Sequence, residues 1–181
     1  MRRAGLILLC AGVATASMGA VLGILAWQGQ DAARAEWEAQ TVQERPAEPS
    51  QELTRLLLPT QRAEFFVWEG ATRKNLLFGP VHVAESAVPG TNGNCIIAAH
   101  RDTHFRMLRE VKKNEPIVVQ HAGRTFKYRI VGLHIVAAAN QTYYRPTTHP
   151  TLTLVTCYPF FYVGNAPQRF IVQAELLAPG S

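Results

Sequence analysis

Disulfide chemistry has little to work with in this chain. Its 181 residues hold three cysteines, Cys10, Cys95 and Cys157, and Cys10 lies inside an apolar N-terminal run, so at most one intramolecular bridge is available. A disulfide-stapled scaffold is therefore excluded, and in an exported protein a sparse, odd cysteine count directs attention to a reactive thiol. Basic runs interleaved with aromatics are missing as well. The formal charge is +5, but the Lys and Arg residues are scattered, as on a solvated surface, and nucleic-acid binding is not expected. The histidines lack close paired spacing and the acidic residues do not cluster in one loop, so neither a metal nor another cofactor is expected. There is no internal repeat and no low-complexity segment. A hydrophobic content of 48% with 17% charged residues is that of an ordinary globular domain rather than a disordered one.

Charge is absent altogether from Ala4 to Gln30. As a helix, the apolar stretch Ala4–Trp27 would extend roughly 36 Å at about 1.5 Å per residue, enough to cross a bilayer. Arg2 and Arg3 precede it and Asp31, Glu36 and Glu38 follow, which by the positive-inside rule puts the N-terminus in the cytoplasm and the remainder outside, with Trp27 at an interface. Ala14-Thr15-Ala16 has the small-x-small form of a signal-peptidase site, but the apolar run continues beyond a secretory core of about 7 to 15 residues, which favours an uncleaved anchor. The expected organisation is a membrane anchor over residues 1–30, a partly helical stalk over 31–60 and a single exported domain over 61–181. Gln28 to Glu44 is rich in helix formers and Pro46 and Pro49 end it. Leu53 to Leu58 reads as a short docking helix or as linker.

Beyond Gln61 the pattern changes to short β-branched and aromatic runs separated by turn formers, which predicts strands at Glu64–Trp68, Asn94–Ala99, Ile117–Gln120, Thr125–Ile135, Thr151–Thr156 and Arg169–Leu177. His121-Ala122-Gly123-Arg124 reads as a hairpin turn. Phe105, Leu108 and Val111 have helical spacing within Thr103–Lys112. Many strands with few helices predict an all-β barrel or sandwich with small helical insertions.

Three side chains at the ends of these strands could do chemistry. Cys157 closes the run Thr151-Leu152-Thr153-Leu154-Val155-Thr156 and precedes Tyr158-Pro159, so it sits where a strand must stop. A rigid strand end offers a nucleophilic thiol both position and access, although a lone cysteine is more often a buried structural residue. His100 ends the run Asn94-Cys95-Ile96-Ile97-Ala98-Ala99, and a Cys/His pair is the minimum arrangement for acyl transfer through a thioester. Five other histidines compete with it: His82, His104, His121, His134 and His149. Arg169 opens the last strand, where a guanidinium could stabilise a developing oxyanion. None of the three is specific alone.

Together these segments resemble the sortase family. Asn94-Cys95-Ile96-Ile97-Ala98-Ala99-His100-Arg101-Asp102-Thr103 is similar to that family's histidine strand, Thr153-Leu154-Val155-Thr156-Cys157 to its TLxTC signature, and Ala166-Pro167-Gln168-Arg169-Phe170-Ile171-Val172 to its arginine strand. Leu77-Phe78-Gly79-Pro80-Val81-His82 and Pro89-Gly90 resemble its GPxH and PG segments. The likeness leans toward class D or a Gram-negative type. It implies a closed eight-stranded β-barrel and a two-step transpeptidation in which Cys157 attacks a C-terminal LPxTG-like sorting signal on a secreted protein, His100 serves as acid and base, and Arg169 holds the oxyanion. The implied acceptor is an amine, either of a cell-wall peptide or of a pilin lysine. Thr156 and Ala99, which flank the pair, are expected to line the substrate site. Ala99 departs from the glycine usual before the histidine, and Cys95 departs from a usual valine and is expected to pack in the core. The competing readings are a sortase-fold binding module without catalysis and an exported cysteine peptidase that only hydrolyses.

Overall fold

The computed structural model describes residues 19–21, 23–39 and 53–178. Eight strands close into one barrel: β1 (Thr54–Leu58), β2 (Ala63–Glu69), β3 (Val81–His82), β4 (Gly93–Ala98), β5 (Pro116–His121), β6 (Arg124–Ala137), β7 (Pro150–Tyr158) and β8 (Gln168–Leu176), in the spatial order β1-β2-β3-β4-β7-β8-β6-β5. The barrel closes where β5 pairs antiparallel with β1. Strands β4 and β7 run parallel, which requires a long crossover and brings two distant strand ends to the same rim. Closure leaves no open sheet edge.

Alternation sets the interior. In β7, Leu152 and Leu154 join Cys95, Ile97, Tyr128, Val172 and Ala174 in the main core, whereas Val155 packs outside with Ile96 and Ile171. Tyr128 is buried, and its hydroxyl accepts a hydrogen bond from the Gly90 N–H at 2.8 Å, which ties the Pro89-Gly90 segment to the core. Gly90 has φ +81, and a Cβ there would run into the Phe126 ring, so only glycine fits. The His121–Arg124 hairpin is as expected: Ala122 and Gly123 both have positive φ, as a two-residue turn between right-twisted strands requires.

Three segments differ from the sequence reading. Leu53–Leu58 is neither helix nor linker: its leucines alternate, with Leu56 and Leu58 fully buried, and Thr54–Leu58 forms a barrel strand, so the barrel begins before residue 61. The helical spacing in Thr103–Lys112 yields only a short 3-10 helix, Arg106–Glu110. Helix α2 (Arg73–Phe78) and the two-residue strand β3 were not anticipated.

Residues 19–21 and 23–39 are helical, and the helix of residues 23–39 is α1. Among the described residues no helix is long and apolar enough to cross a membrane, and most of the expected span Ala4–Trp27, like Ala14-Thr15-Ala16, Pro46 and Pro49, lies outside them. The end of that span is seen to do something else. Ala26, Gly29, Ala33 and the partly buried Trp37 recur on one helical face, and that face docks on the barrel. Ala33 is fully buried with Leu53 and Phe66, and Trp37 packs against them. Gln30 inserts its amide between strand and helix: Nε2 donates to the carbonyls of Phe66 (3.0 Å) and Phe78 (3.2 Å), while Oε1 accepts from the Phe66 N–H (2.7 Å).

Close approach depends on Gly29. A Cβ there would lie 2.5 Å from the Phe78 Cβ and under 3 Å from Phe78 backbone atoms. Gly29→Leu would gain about 1 kcal/mol of helix propensity, but a clash with backbone cannot rotate away, and overpacking costs about 1–3 kcal/mol. The variant is expected to undock α1 and shift the emission of Trp37, whose ring lies 6.3 Å from that of Phe66. Unchanged emission and unchanged protease resistance would contradict this.

Candidate active site

Strand pairing brings two of the three predicted side chains together, and the third follows the end of the neighbouring strand. Cys157 in β7 and Arg169 in β8 are register partners in an antiparallel pair, so their side chains are cross-strand neighbours on one face. By the two-residue period they share the outer face with Val155 and Ile171. The parallel β4–β7 pair runs through Ala98↔Val155, and the Ala99 N–H donates to the Val155 carbonyl at 3.2 Å. His100 is the second residue beyond Ala98, and Cys157 the second beyond Val155. His100 is exposed and Cys157 half-buried.

Thr156 and Ala99 hold the two strand ends together. The Thr156 hydroxyl donates to the Ala99 carbonyl at 2.7 Å, and both residues are buried. They lock β4 to β7 immediately before His100 and Cys157, and Ala99 belongs to the main core cluster. Arg169 is braced likewise: Nη1 donates to the carbonyls of Ala166 (3.1 Å) and Gln168 (2.9 Å). Behind Cys157, the rings of Tyr158, Phe160 and Phe170 form a cluster with centroid separations of 5.3 to 6.3 Å, which stiffens the start of the β7–β8 loop.

The competing histidines are accounted for by their surroundings. His82 is buried between Glu69 (2.8 Å), the Ala87 carbonyl and Ser86, where it organises the turn after β3. His121 lies 2.8 Å from the Thr54 hydroxyl, His149 lies 3.5 Å from Glu175, and the His134 ring lies 4.7 Å from that of Tyr143, tilted by 31°. Cys95 is in the core as expected, where burial pushes its thiol up to about 12.

Two neighbours of the site were not found from sequence. Tyr144 lies in a 3-10 turn, Thr142–Tyr144, of the β6–β7 loop and packs with Tyr143 over Ile96, Val155 and Ile171. Burial raises its phenol, which also feels the charges of Arg169 and Cys157, so this loop comes near both residues. The second is His104. Its buried ring meets Phe65 edge-on at 6.0 Å, and its basicity falls to about 4 through burial first and the charge of His100 second, opposed by hydrogen bonding with the Ala26 backbone of α1. With a folded value below the ordinary 6.5, the unfolded chain binds the extra proton between those limits, so stability falls as the pH drops through the window. Melting temperatures across pH 6.5 to 4 are expected to decline less steeply in His104→Gln than in the parent; parallel slopes would rule out His104 as the source.

Among the described residues no group of three or more His, Cys, Asp or Glu side chains could hold a metal ion. A thiol, an imidazole and a guanidinium thus stand at or just beyond the ends of three different strands, β7, β4 and β8.

The sortase domain family matches residues 56–177. The chain is 36% identical over 122 residues to Sortase D of Bacillus subtilis, covering 66% of this chain and 61% of that protein. It is 30% identical over 149 residues to Sortase SrtE1 of Streptomyces coelicolor, covering 72% and 42%. The chain thus spans less than two thirds of the length of either relative. Among solved structures, a Clostridium perfringens Sortase D5 transpeptidase superposes with a TM-score of 0.68 at 20% identity, covering 85% of this chain and 99% of that one. The catalytic domain of B. anthracis SrtD gives 0.62 at 29% identity, covering 75% and 94%. The first likeness is one of fold; the matches to Sortase D and SrtD place the chain near class D.

Proposed function

From the premise that this chain belongs to the sortase family, we propose that it is a cysteine transpeptidase with Cys157 as nucleophile, His100 as acid and base, and Arg169 as oxyanion and backbone holder. What supports this reading is the pairing of Cys157 with Arg169 across β7 and β8, with His100 two residues past the end of β4, the strand that runs parallel to β7. In the first half-reaction the sulfur attacks the carbonyl after the threonine of an LPxTG-like signal, and His100 protonates the departing amine. In the second, an acceptor amine attacks the thioester and His100 takes its proton. Thr156 and Ala99 position the two strand ends, and the β6–β7 loop with Tyr144 lines the groove.

The apolar run Ala4–Trp27 is proposed to hold the protein at the membrane, with the barrel on the extracytoplasmic side. Docking of α1 through Ala26, Gly29 and Ala33 would then keep the rim close to the bilayer from which a sorting signal emerges. The test is cleavage of a fluorogenic LPxTG-type peptide with an amine added, read by mass spectrometry. A ligated product is expected. Hydrolysis with no ligation at any amine concentration favours a simple peptidase, and a Cys157 that resists thiol labelling with no turnover favours a binding module.

A further inference from the structure

Asn94 is the second residue of β4 and shares the outer face of the sheet with Ile96 and Ala98, as Thr151, Thr153 and Val155 do in β7. Although both are polar and on the outer face, Asn94 is only 4% exposed and Thr153 fully buried. The β6–β7 loop, residues 138–149, lies over them, with Tyr143 and Tyr144 packed against Ile96, Val155 and Ile171.

The Asn94 amide has its partners on both sides. Nδ2 donates to the carbonyls of Tyr143 (2.8 Å) and Arg145 (3.1 Å), and Oδ1 accepts from the Thr153 hydroxyl (2.6 Å). An amide nitrogen carries two N–H donors, and here both are spent on the loop. The Thr153 bond fixes which way the amide faces, and the two donations grip the backbone on either side of Tyr144. Tyr144 is the loop residue whose phenol feels the charges of Arg169 and Cys157. Val155 and Ile171, on which it packs, are register partners two residues from Cys157 and Arg169 and so lie on the same face as that pair. Tyr144 and Pro146 also line a cavity of about 250 Å³ together with Glu85, Asn94 and Ile96, a space that exists only while the loop is docked.

We propose that Asn94 is a positioning residue that docks the β6–β7 loop on the sheet before any substrate arrives, so that the loop meets the sorting signal already in place. The inference rests on the transpeptidase reading above. Asn94 acts through the loop and not on the reacting atoms. When only a fraction of molecules has the loop docked, apparent affinity falls by that fraction. Once substrate is bound the loop is down, and the chemical step runs as in the parent. Releasing the clip therefore falls on KM and spares kcat. An amide that merely completes the packing would, on removal, lower the melting temperature and leave the KM of the folded protein unchanged.

The experiment compares Asn94→Ala and Thr153→Val with the parent, each as the full chain cleaving an LPxTG-type peptide, while acyl-enzyme is followed by intact mass. Both variants lose a buried hydrogen bond, but only Asn94→Ala frees the loop. In Asn94→Ala, KM is expected to rise about tenfold, the combined net worth of two lost hydrogen bonds, with kcat within about twofold of the parent. Thr153→Val is expected to keep the parent's KM. A lowered melting temperature with unchanged KM in Asn94→Ala, a loss confined to kcat, or an equal rise of KM in Thr153→Val overturns the proposal alone. Where Asn94→Ala does not fold, hydrogen exchange of the parent decides. The amides of Tyr144 and Arg145 are expected to be protected in the peptide-free chain, and exchange there at the rate of an unstructured segment overturns the proposal. Failure of the parent to form acyl-enzyme overturns the transpeptidase reading and this inference with it.

Discussion

Replacing Cys157 with alanine is expected to lower peptide cleavage by at least about 10⁴-fold, the scale on which covalent catalysis fails when its nucleophile is removed. Nothing nearby can substitute. The other described cysteine, Cys95, is buried in the core with its thiol pushed up to about 12, so at neutral pH it is neither reachable nor ionised. The fold should survive, because Cys157 is half-buried at a strand end and its truncation opens no core cavity. Binding of the sorting peptide should survive with it, which separates loss of chemistry from loss of structure.

Arg169→Lys is expected to reduce kcat/KM by about 10²- to 10³-fold, the usual loss when one preorganised oxyanion donor is removed. The charge is kept, so the size of the effect reports geometry. In the parent, Nη1 is held by the carbonyls of Ala166 and Gln168, and the rigid fork leaves the remaining N–H groups at fixed angles on a residue whose cross-strand partner is Cys157. A lysine ammonium is a flexible point charge that cannot satisfy those carbonyls and aim a second donor at once. The loss should fall mainly on kcat, since the developing oxyanion exists only in the transition state. Rates within about threefold of the parent would reduce Arg169 to a general electrostatic role.

The reasons why some features were legible in the sequence and others were not are physical. The runs ending in His100 and Cys157 are strongly apolar and stop at polar or proline-bearing loops, so strand and terminus are both visible locally. That β4 and β7 lie side by side is a long-range fact, as is the pairing of Cys157 with Arg169 across a nine-residue loop, 159–167; the family motif supplied these contacts, and periodicity could not. Strand β1 was hidden because three consecutive leucines read equally well as helix, and it becomes a strand only because β2 and β5 flank it. Strand β3 has two residues, too few for any pattern. The placement of Tyr144 and the grip of Asn94 on its loop depend on loop shape. The docking of α1 did leave a trace: Ala26, Gly29 and Ala33 form a small-residue stripe, with Gln30 beside it. That spacing suits close packing against protein as well as lipid.

Intact-mass analysis of the protein mixed with an LPxTG-type peptide, quenched in acid and followed by peptide mapping, asks directly whether the sulfur at this rim carries the acyl group. The expected result is an adduct of the peptide minus its C-terminal fragment, confined to Cys157 and discharged by hydroxylamine. Steady turnover with Cys157 never acylated, or with the adduct on another residue, would contradict the assignment of this thiol as the nucleophile.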